Sequence, residues 1–279
     1  MMPMRPDVLD LVIRFKTNGD PFALATVVRT VSVTAAKAGA KAVIGADGTI
    51  SGGWIGGGCA RGAVLRAAQE ALADGCPRLI SIQPEDLLLE HDVMAGQTRD
   101  GIVYARNMCP GHGTIDVFVE PVLPRPQLVI CGASPVAIAL ADLGRRMGFF
   151  VVVCAAAADH VAFPDVDRLI EGFLIPAGGY LVVATQGSGD KAALQAAVGA
   201  SAKYLAFVGS RRKAAALKTD LRAAGIDAAA LDAIRAPAGL DLGAITPDEI
   251  ALSIIAEIIG VHRHGQRLTA PQQETTPWT

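Results

Sequence analysis

The residues best suited to chemistry lie in the stretch SGGWIGGGCARGAV, residues 51–64, where one thiol follows a run of glycines. Glycines allow positive φ and close backbone approach, so this stretch is compatible with a purely structural turn. The apolar periodicity after it predicts a helix that ends at Gly75. Backbone amides at a helix start bind anions and lower the pKa of a neighbouring thiol. The glycines and the thiol are therefore candidate ligand-binding or reactive residues: Gly56, Gly57, Gly58 and Cys59.

The five cysteines of the chain are widely spaced and include no C-x-x-C pair, which disfavours a zinc ribbon or a redox dithiol. Cys131 and Cys154 end the apolar runs LVIC and VVVC, so we expect them to be core residues. Cys109 opens the loop CPGHG, which makes Cys109 and Gly111 further candidates for ligand binding. If Cys59 and Cys109 converge, they form a site for a soft metal or a sulfur-rich ligand. We interpret His112 as a polar loop residue.

Composition restricts the class of protein. Of 279 residues, 51% are hydrophobic and 19% are charged, and the formal net charge is −2. This is typical of a well-packed α/β protein, and the absence of a basic run argues against nucleic acid. The N-terminal stretch lacks the features of a signal peptide, and no apolar run reaches the ~20 residues of a membrane span. We therefore predict a cytoplasmic protein.

The order of predicted elements indicates two domains and a tail. Helix and strand patterns in the first half give an α/β domain at residues 1–123, and the proline-rich EPVLPRPQ follows as a boundary. Strands and helices then alternate over residues 127–262, which predicts a Rossmann-like parallel sheet. Thr246, Pro247 and Glu249 form the pattern of a capping box at the last helix. Residues 263–279 are predicted to be a polar tail.

The second half carries an altered dinucleotide motif. In place of G-x-G-x-x-G it keeps only Gly132, with Ser134 and Ala137 at the other two glycine positions, which argues against ordinary NAD binding. Two later loops follow strands at the edge where such sheets bind ligands. Cations at the helix start after Gly209 oppose the helix dipole, so we favour a phosphate site there over a solvated turn. The candidates on these three loops are Gly132, Ser134, Thr185, Gly209, Ser210, Arg211 and Lys213.

Several of these motifs are similar to those of a known family. The chain resembles the XdhC/CoxI family, accessory proteins that mature molybdenum hydroxylases such as xanthine dehydrogenase and carbon monoxide dehydrogenase. The resemblance runs from about Leu9 to Ile259 and rests on the motifs LATVVRT, GAKAVIGADGTISGGWIGGGCARGAV, YLAFVGSRRKAAAL and RAPAGLDLGAITPDEIALSIIAEII. Family members often have arginine where this chain has Ala36, and histidines in the loops at Gly132 and Thr185 that this chain lacks.

The resemblance implies a function and partners. It implies binding of the molybdenum cofactor, in its molybdopterin or dinucleotide form, with Cys59 near the molybdenum or its sulfur. It also implies support of cofactor sulfuration and insertion into an apo molybdenum hydroxylase, with a cysteine desulfurase as a further partner and a homodimer as the assembly. Such a protein is a cofactor chaperone without turnover.

Two enzymatic alternatives stay open at this stage. The Rossmann-like half is compatible with an NAD(P)- or nucleotide-binding oxidoreductase, although its fingerprint is incomplete. Cys59 is also compatible with a sulfurtransferase that carries a persulfide, because activating partners converge in space and not in sequence.

Overall fold

The computed structural model describes residues 7–32, 34–108 and 112–269, except for the side chains of Cys59 and of residues 264–269. The chain divides into two compact units, of which one contains the described residues up to Pro124 and the other spans Arg125–Gly265. The predicted fold class is confirmed, because the first unit is a mixed α/β structure and the second contains a parallel sheet covered by helices.

The first unit is built around one mixed sheet. Its elements in chain order are α1 (Val8–Asn18), β1 (Phe22–Val31), β2 (Lys41–Gly45), β3 (Ile50–Gly53), α2 (Gly58–Asp74), β4 (Arg78–Gln83), α3 (Glu85–Glu90), β5 (Thr98–Arg99), β6 (Ile102–Arg106) and β7 (Thr114–Val122). The strands form a sheet of seven in the order β3-β2-β1-β7-β4-β6-β5. Most pairs are antiparallel, and β4 pairs with β6 in parallel.

The two faces of this sheet differ. On one face, small residues of α2 such as Ala67 and Ala71 pack against Ile80, Ile82 and Val117, all of them buried. On the other face, α1 inserts Leu11 between Phe22 and Val43, which covers only the end near β2 and β3. Successive side chains along a strand point to opposite faces of the sheet. The residues between the buried apolar ones therefore lie on this second face, and several of those on β7, β4 and β6 are polar.

The second unit is a doubly wound parallel sheet. Its elements are β8 (Gln127–Cys131), α4 (Pro135–Arg146), β9 (Phe150–Ala155), a short 3₁₀ helix (Ala157–Ala162), β10 (Arg168–Glu171), β11 (Tyr180–Val183), α5 (Asp190–Val198), β12 (Tyr204–Phe207), α6 (Arg211–Ala223), α7 (Ala228–Asp232) and α8 (Pro247–Thr269). The strand order is β10-β9-β8-β11-β12. The direction of winding therefore changes beside β8, where ligands bind in such sheets.

The capping box predicted for α8 is confirmed. The amide of Thr246 donates to the Glu249 carboxylate at 2.9 Å, and the amide of Glu249 donates to the Thr246 hydroxyl at 3.3 Å. The helix extends to Thr269 and so includes the first residues of the predicted polar tail at residues 263–279. Gly260 does not end it, and the ring of His262 hydrogen-bonds the Tyr180 hydroxyl at 2.8 Å. Among the described residues, no helix combines the length and apolar character needed to cross a membrane.

Two of the thiols are core residues, as the sequence predicts. Cys131 and Cys154 are paired positions on β8 and β9, and neither is exposed. The hydrogen bond to Cys154 and burial raise the pKa of Cys131, which keeps that thiol protonated. A buried, protonated thiol is a weak nucleophile, so Cys131 does not offer a reactive centre.

Gly132, the first residue after β8, is expected to tolerate no side chain. Its φ is +109°, and a Cβ would lie 2.7 Å from the carbonyl oxygen of Ala184. Gly148 also has positive φ, +81°, but no atom lies within 4 Å of its Cβ position. We expect Gly148→Ala to lower the free energy of unfolding by about 1–2 kcal/mol through backbone strain alone, and Gly132→Ala by clearly more. Urea unfolding of both variants measures the difference, and equal losses would contradict the close packing at Gly132.

Candidate functional site

The glycine loop of the first unit connects β3 to α2. Ile55 is completely buried and fixes the loop to the core, whereas the neighbouring Trp54 keeps 56% of its surface exposed. Gly56 has φ +111°, which requires glycine, and its Cβ position lies 3.5 Å from the Cβ of Ala60. Gly57 and Gly58 have no atom within 4 Å of their Cβ positions. The loop is thus anchored at Ile55 and Gly56 and open at the next two residues.

The start of α2 has no side-chain cap. Gly57 is the N-cap residue with extended backbone, φ −98° and ψ 177°, and no described side chain bonds to the first-turn amides. No acidic residue stands in the first turn of α2 either. Cys59 is the second residue of this helix, so its backbone belongs to the first turn. An uncapped helix start has free amide donors and a partial positive charge, both suited to an anion.

Two other segments reach the glycine loop. The Cβ position of Gly56 lies 3.8 Å from the Cβ of Ala36 and 3.8 Å from Cδ1 of Ile115 at the start of β7. The segment between β6 and β7 carries Cys109 and Gly111, which lie outside the described residues. His112 is exposed and has φ +45°. The start of β7 therefore lies beside the glycine loop.

In the second unit, a carboxylate joins two of the predicted loops. The Asp190 carboxylate accepts hydrogen bonds from the Thr185 hydroxyl and, at 3.0 Å, from the amide of Gly187. It also pairs with the ammonium of Lys213 in the first turn of α6. Gly132 packs against Thr185, with its Cβ position 2.7 Å from the Thr185 Cα. Gly132, Thr185 and Lys213 thus meet at the carboxyl edge of the parallel sheet, around an aspartate.

Two of the candidate hydroxyls act as helix caps. Ser134 is 9% exposed, and its hydroxyl accepts a hydrogen bond from the Ala137 amide at 3.2 Å. Ser210, which follows Gly209, caps α6 in the same way by accepting from the Lys213 amide at 3.2 Å. Arg211 is exposed, and no acidic side chain of the described residues pairs with it. Arg211 and the neighbouring Arg212, which is also exposed and has no acidic partner among the described residues, therefore stay available for an external anion, whereas Lys213 is neutralised by Asp190.

The charge of Asp190 contributes to stability in a pH-dependent manner. Burial raises the pKa of Asp190, but the hydrogen bonds from Lys213, Thr185 and Gly187 outweigh it and lower the pKa overall. A folded-state pKa below the unfolded value of about 3.9 gives stability that is present above pH ~4 and lost as pH falls through the folded pKa.

We expect Asp190→Asn to lower the free energy of unfolding by about 1–3 kcal/mol at pH 7, because a buried hydrogen-bonded charge pair is broken. The difference from wild type should shrink as the pH falls below ~4, where the carboxylate of the unfolded chain takes up a proton first and that of the folded chain follows at its lower pKa. Asp142→Asn is the matched control, since its pair with Arg146 is exposed and 3.8 Å long. Chemical denaturation between pH 3 and 7 checks this, and a difference independent of pH would contradict it.

Two features of these sites do not appear among the sequence candidates. Asp190 opens α5 after TQGSG, a position that is typical of an ordinary helix start. A polar row on the open sheet face of the first unit, including Arg29 and Asp116, joins residues from separate strands. Within the described residues, no group of three or more His, Cys, Asp or Glu side chains is placed to hold a metal ion.

Comparison with known proteins gives matches in both units. Residues 16–83 match the XdhC and CoxI family, and residues 128–258 match the XdhC Rossmann domain. The uncharacterized protein YqeB of Escherichia coli (strain K12) is 30% identical over 253 residues, which covers 86% of this chain and 43% of that protein.

Two further proteins are similar to the chain. A probable xanthine dehydrogenase subunit of Bacillus subtilis (strain 168) is 27% identical over 158 residues, 52% of this chain and 46% of that protein. The chain thus spans less than half of the length of either of these relatives. A crystal structure of a Bacillus halodurans protein described as a xanthine dehydrogenase matches with 21% identity and a TM-score of 0.47, over 95% of this chain and 98% of that one.

Proposed function

Because the chain belongs to the XdhC and CoxI family, we propose that it acts in the maturation of a molybdenum hydroxylase. More specifically, it binds the molybdenum cofactor as cargo, supports its sulfuration and inserts it into the apo-enzyme. The name of the Bacillus subtilis relative, which is a probable component of a xanthine dehydrogenase, supports a client of this class. In this role the chain is a chaperone without turnover of its own.

The observation that carries the proposal is the open glycine loop at the uncapped start of α2. The cargo is a pterin with a dithiolene, a phosphate and an oxidised molybdenum centre, so it presents several anionic oxygens. Amides at Gly57, Gly58 and Cys59 are suited to such oxygens because no side chain of the described residues occupies them. In the proposal, the Cys59 thiol approaches the molybdenum or its sulfur, and the helix start beside it favours the thiolate form.

The second unit supports the proposed function less directly than the glycine loop of the first unit does. Arg211 is exposed at the start of α6, and we assign it to a phosphate-bearing ligand of this unit. An NAD(P)-dependent enzyme is less well supported, because Ser134 fills the position where the second fingerprint glycine admits a pyrophosphate. We therefore favour a carrier over an oxidoreductase.

The proposal includes two partners and an assembly. An apo molybdenum hydroxylase receives the cargo, and a cysteine desulfurase supplies the sulfur. A homodimer is the assembly that we expect from the family.

The experiment that tests this function is reconstitution of an apo molybdenum hydroxylase. The full chain is incubated with cofactor released from a purified molybdenum hydroxylase, desalted, and mixed with the apo-enzyme; free cofactor at the same molybdenum concentration is the control. We expect the loaded chain to give more active enzyme than the free cofactor. Equal or lower activation would argue against a role in insertion.

A further inference from the structure

The first unit contains a cavity that the proposed function has not used. It lies on the sheet face opposite α2, has a volume of about 310 Å³, and we call it the sheet-face pocket. Its polar lining consists of eight residues from five strands and two turns: Arg29, Ser81, Gln83, His91, Arg99, Asp100, Tyr104 and Asp116. The volume is at the lower end of the roughly 300–1,000 Å³ of small-molecule sites, which suits one bicyclic ring and not a dinucleotide.

The register of the sheet builds this pocket. Arg29 of β1 pairs with Asp116 of β7, Asp116 pairs with Ser81 of β4, and Ser81 pairs with Tyr104 of β6. Directly opposed residues on neighbouring strands share a face, so these side chains form one row.

A bulge in β1 brings the cation into this row. The pairing of β1 with β7 shifts between Val27 and Arg29, so that Arg29, and not Val28, stands opposite Asp116. Val28 is left outside the regular pairing. Bulges redirect side chains and are over-represented beside active sites. Without the shift, an apolar valine would occupy the position that faces the carboxylate.

The row is a connected hydrogen-bond network on a partly open surface. Asp116 accepts from Nε of Arg29 at 2.5 Å and from the Ser81 hydroxyl at 2.6 Å. The Gln83 amide donates to Ser81 at 2.7 Å, and Nδ1 of His91 lies 3.1 Å from the Gln83 carbonyl oxygen. Ser81 and Gln83 are only 3% and 5% exposed. Held in this way, the Asp116 carboxylate has a fixed orientation while its side chain stays 13% exposed.

The exposed groups of the network match a particular ring edge. A carboxylate has about four acceptor positions and a guanidinium five donors, so Asp116 and Arg29 keep capacity beyond their mutual bond. Adjacent acceptor and donor groups complement a 2-amino-4-oxopyrimidine, whose edge presents an amino N–H, a ring N–H and a carbonyl oxygen. Leu79 and Ile102 line the same cavity and offer apolar contact to a ring.

The charge of the lining also favours a neutral heterocycle. Arg29 pairs with Asp116, and Nε of Arg99 lies 3.8 Å from a carboxylate oxygen of Asp100. The pocket lining therefore contains two cations and two carboxylates. A balanced lining gives no net attraction for a polyanion such as a free phosphate chain.

We propose that the sheet-face pocket binds the 2-amino-4-oxopyrimidine ring of a pterin, with Asp116 accepting from the ring N–H groups and Arg29 donating to its carbonyl oxygen. The assignment to a pterin rests on the proposed function, in which the cargo contains that ring. Guanine has the same edge, and the experiment distinguishes the two sources.

The test uses the full chain and neopterin, a fluorescent pterin with a neutral side chain. Its anisotropy is followed on titration with wild type, Asp116→Asn and Arg29→Gln, with guanosine as the competitor. Asn replaces one acceptor oxygen by a donor, so we expect at least about tenfold weaker binding, in the range of a lost bidentate contact. Glu120→Gln is the matched control, an exposed carboxylate on the same strand outside the pocket. Arg29→Gln keeps the proposal testable if Asp116→Asn does not fold.

The outcomes separate this proposal from the proposed function. Neopterin binding that is weakened by Asp116→Asn and unchanged by Glu120→Gln supports the pocket. Guanosine binding tighter than neopterin, or neopterin binding insensitive to Asp116 and Arg29, overturns it. If neopterin does not bind but the wild type retains the complete cofactor, the pocket is wrong and the carrier function stands. Neopterin binding that depends on Asp116, in a chain that does not retain the cofactor, would support the pocket and contradict the carrier function.

Discussion

Gly57→Asp is expected to abolish retention of the molybdenum cofactor without harming the fold. The backbone of Gly57 is extended and its Cβ position is open, so aspartate fits without strain. As N-cap, its carboxylate would accept from the first-turn amides of α2 and complement the helix dipole. Thermal stability should stay equal or rise slightly, while cofactor retention should fall at least about tenfold, because like charges placed together oppose binding by several kcal/mol.

Gly57→Asn distinguishes the effect of the negative charge from the effect of a side chain that caps the first-turn amides. Asparagine caps a helix as well as aspartate does but is neutral, so it should weaken cofactor retention less. Molybdenum content after desalting and the melting temperature are measured for both variants. Retention equal to wild type in Gly57→Asp would show that the amides of this loop do not bind the cargo.

Cys59→Ala is expected to cause the second large loss of cofactor retention. The residue is the second of α2, and alanine has the highest helix propensity, so the helix should be preserved. The contact of the thiol with the molybdenum or its sulfur would be lost, and we expect at least about a tenfold drop in retained molybdenum. Metal analysis after desalting measures the loss of retained molybdenum, and circular dichroism checks that the helix is preserved.

The matched control for the thiol is Cys76→Ala. Cys76 is half-buried at the exit of α2, where its amide bonds to Asp74 at 2.9 Å, at the opposite end of the helix from Cys59. The Cys76→Ala variant should retain cofactor as wild type does. Equal losses in both variants would indicate a general effect of removing a thiol and would exclude a specific role for Cys59.

The fold was largely predictable because its signals are local. Strand–helix alternation after the proline-rich boundary predicts the parallel sheet, and the pattern of Thr246 and Glu249 predicts a cap that the hydrogen bonds confirm. The extent of α8 was not predictable in the same way. Its last turns are polar, and the bond between Tyr180 and His262 joins residues far apart in sequence.

The sites were predictable only where one segment forms them. The glycine loop and the start of α2 are contiguous, so their position follows from the sequence. The neutralisation of Lys213 by Asp190 depends on two loops meeting at a sheet edge, which no local pattern indicates. The sheet-face pocket was missed for a similar reason, since it requires the strand order β1-β7-β4-β6 and a one-residue shift at Val28.

The measurement that bears most directly on the cargo is the amount of molybdenum and pterin retained by the wild-type chain. The protein is incubated with cofactor released from a purified molybdenum hydroxylase and desalted, and both components are quantified per chain. The carrier function predicts near-stoichiometric retention of molybdenum and pterin together. Retention of neither would contradict it, and the glycine loop before α2 would then be a structural turn.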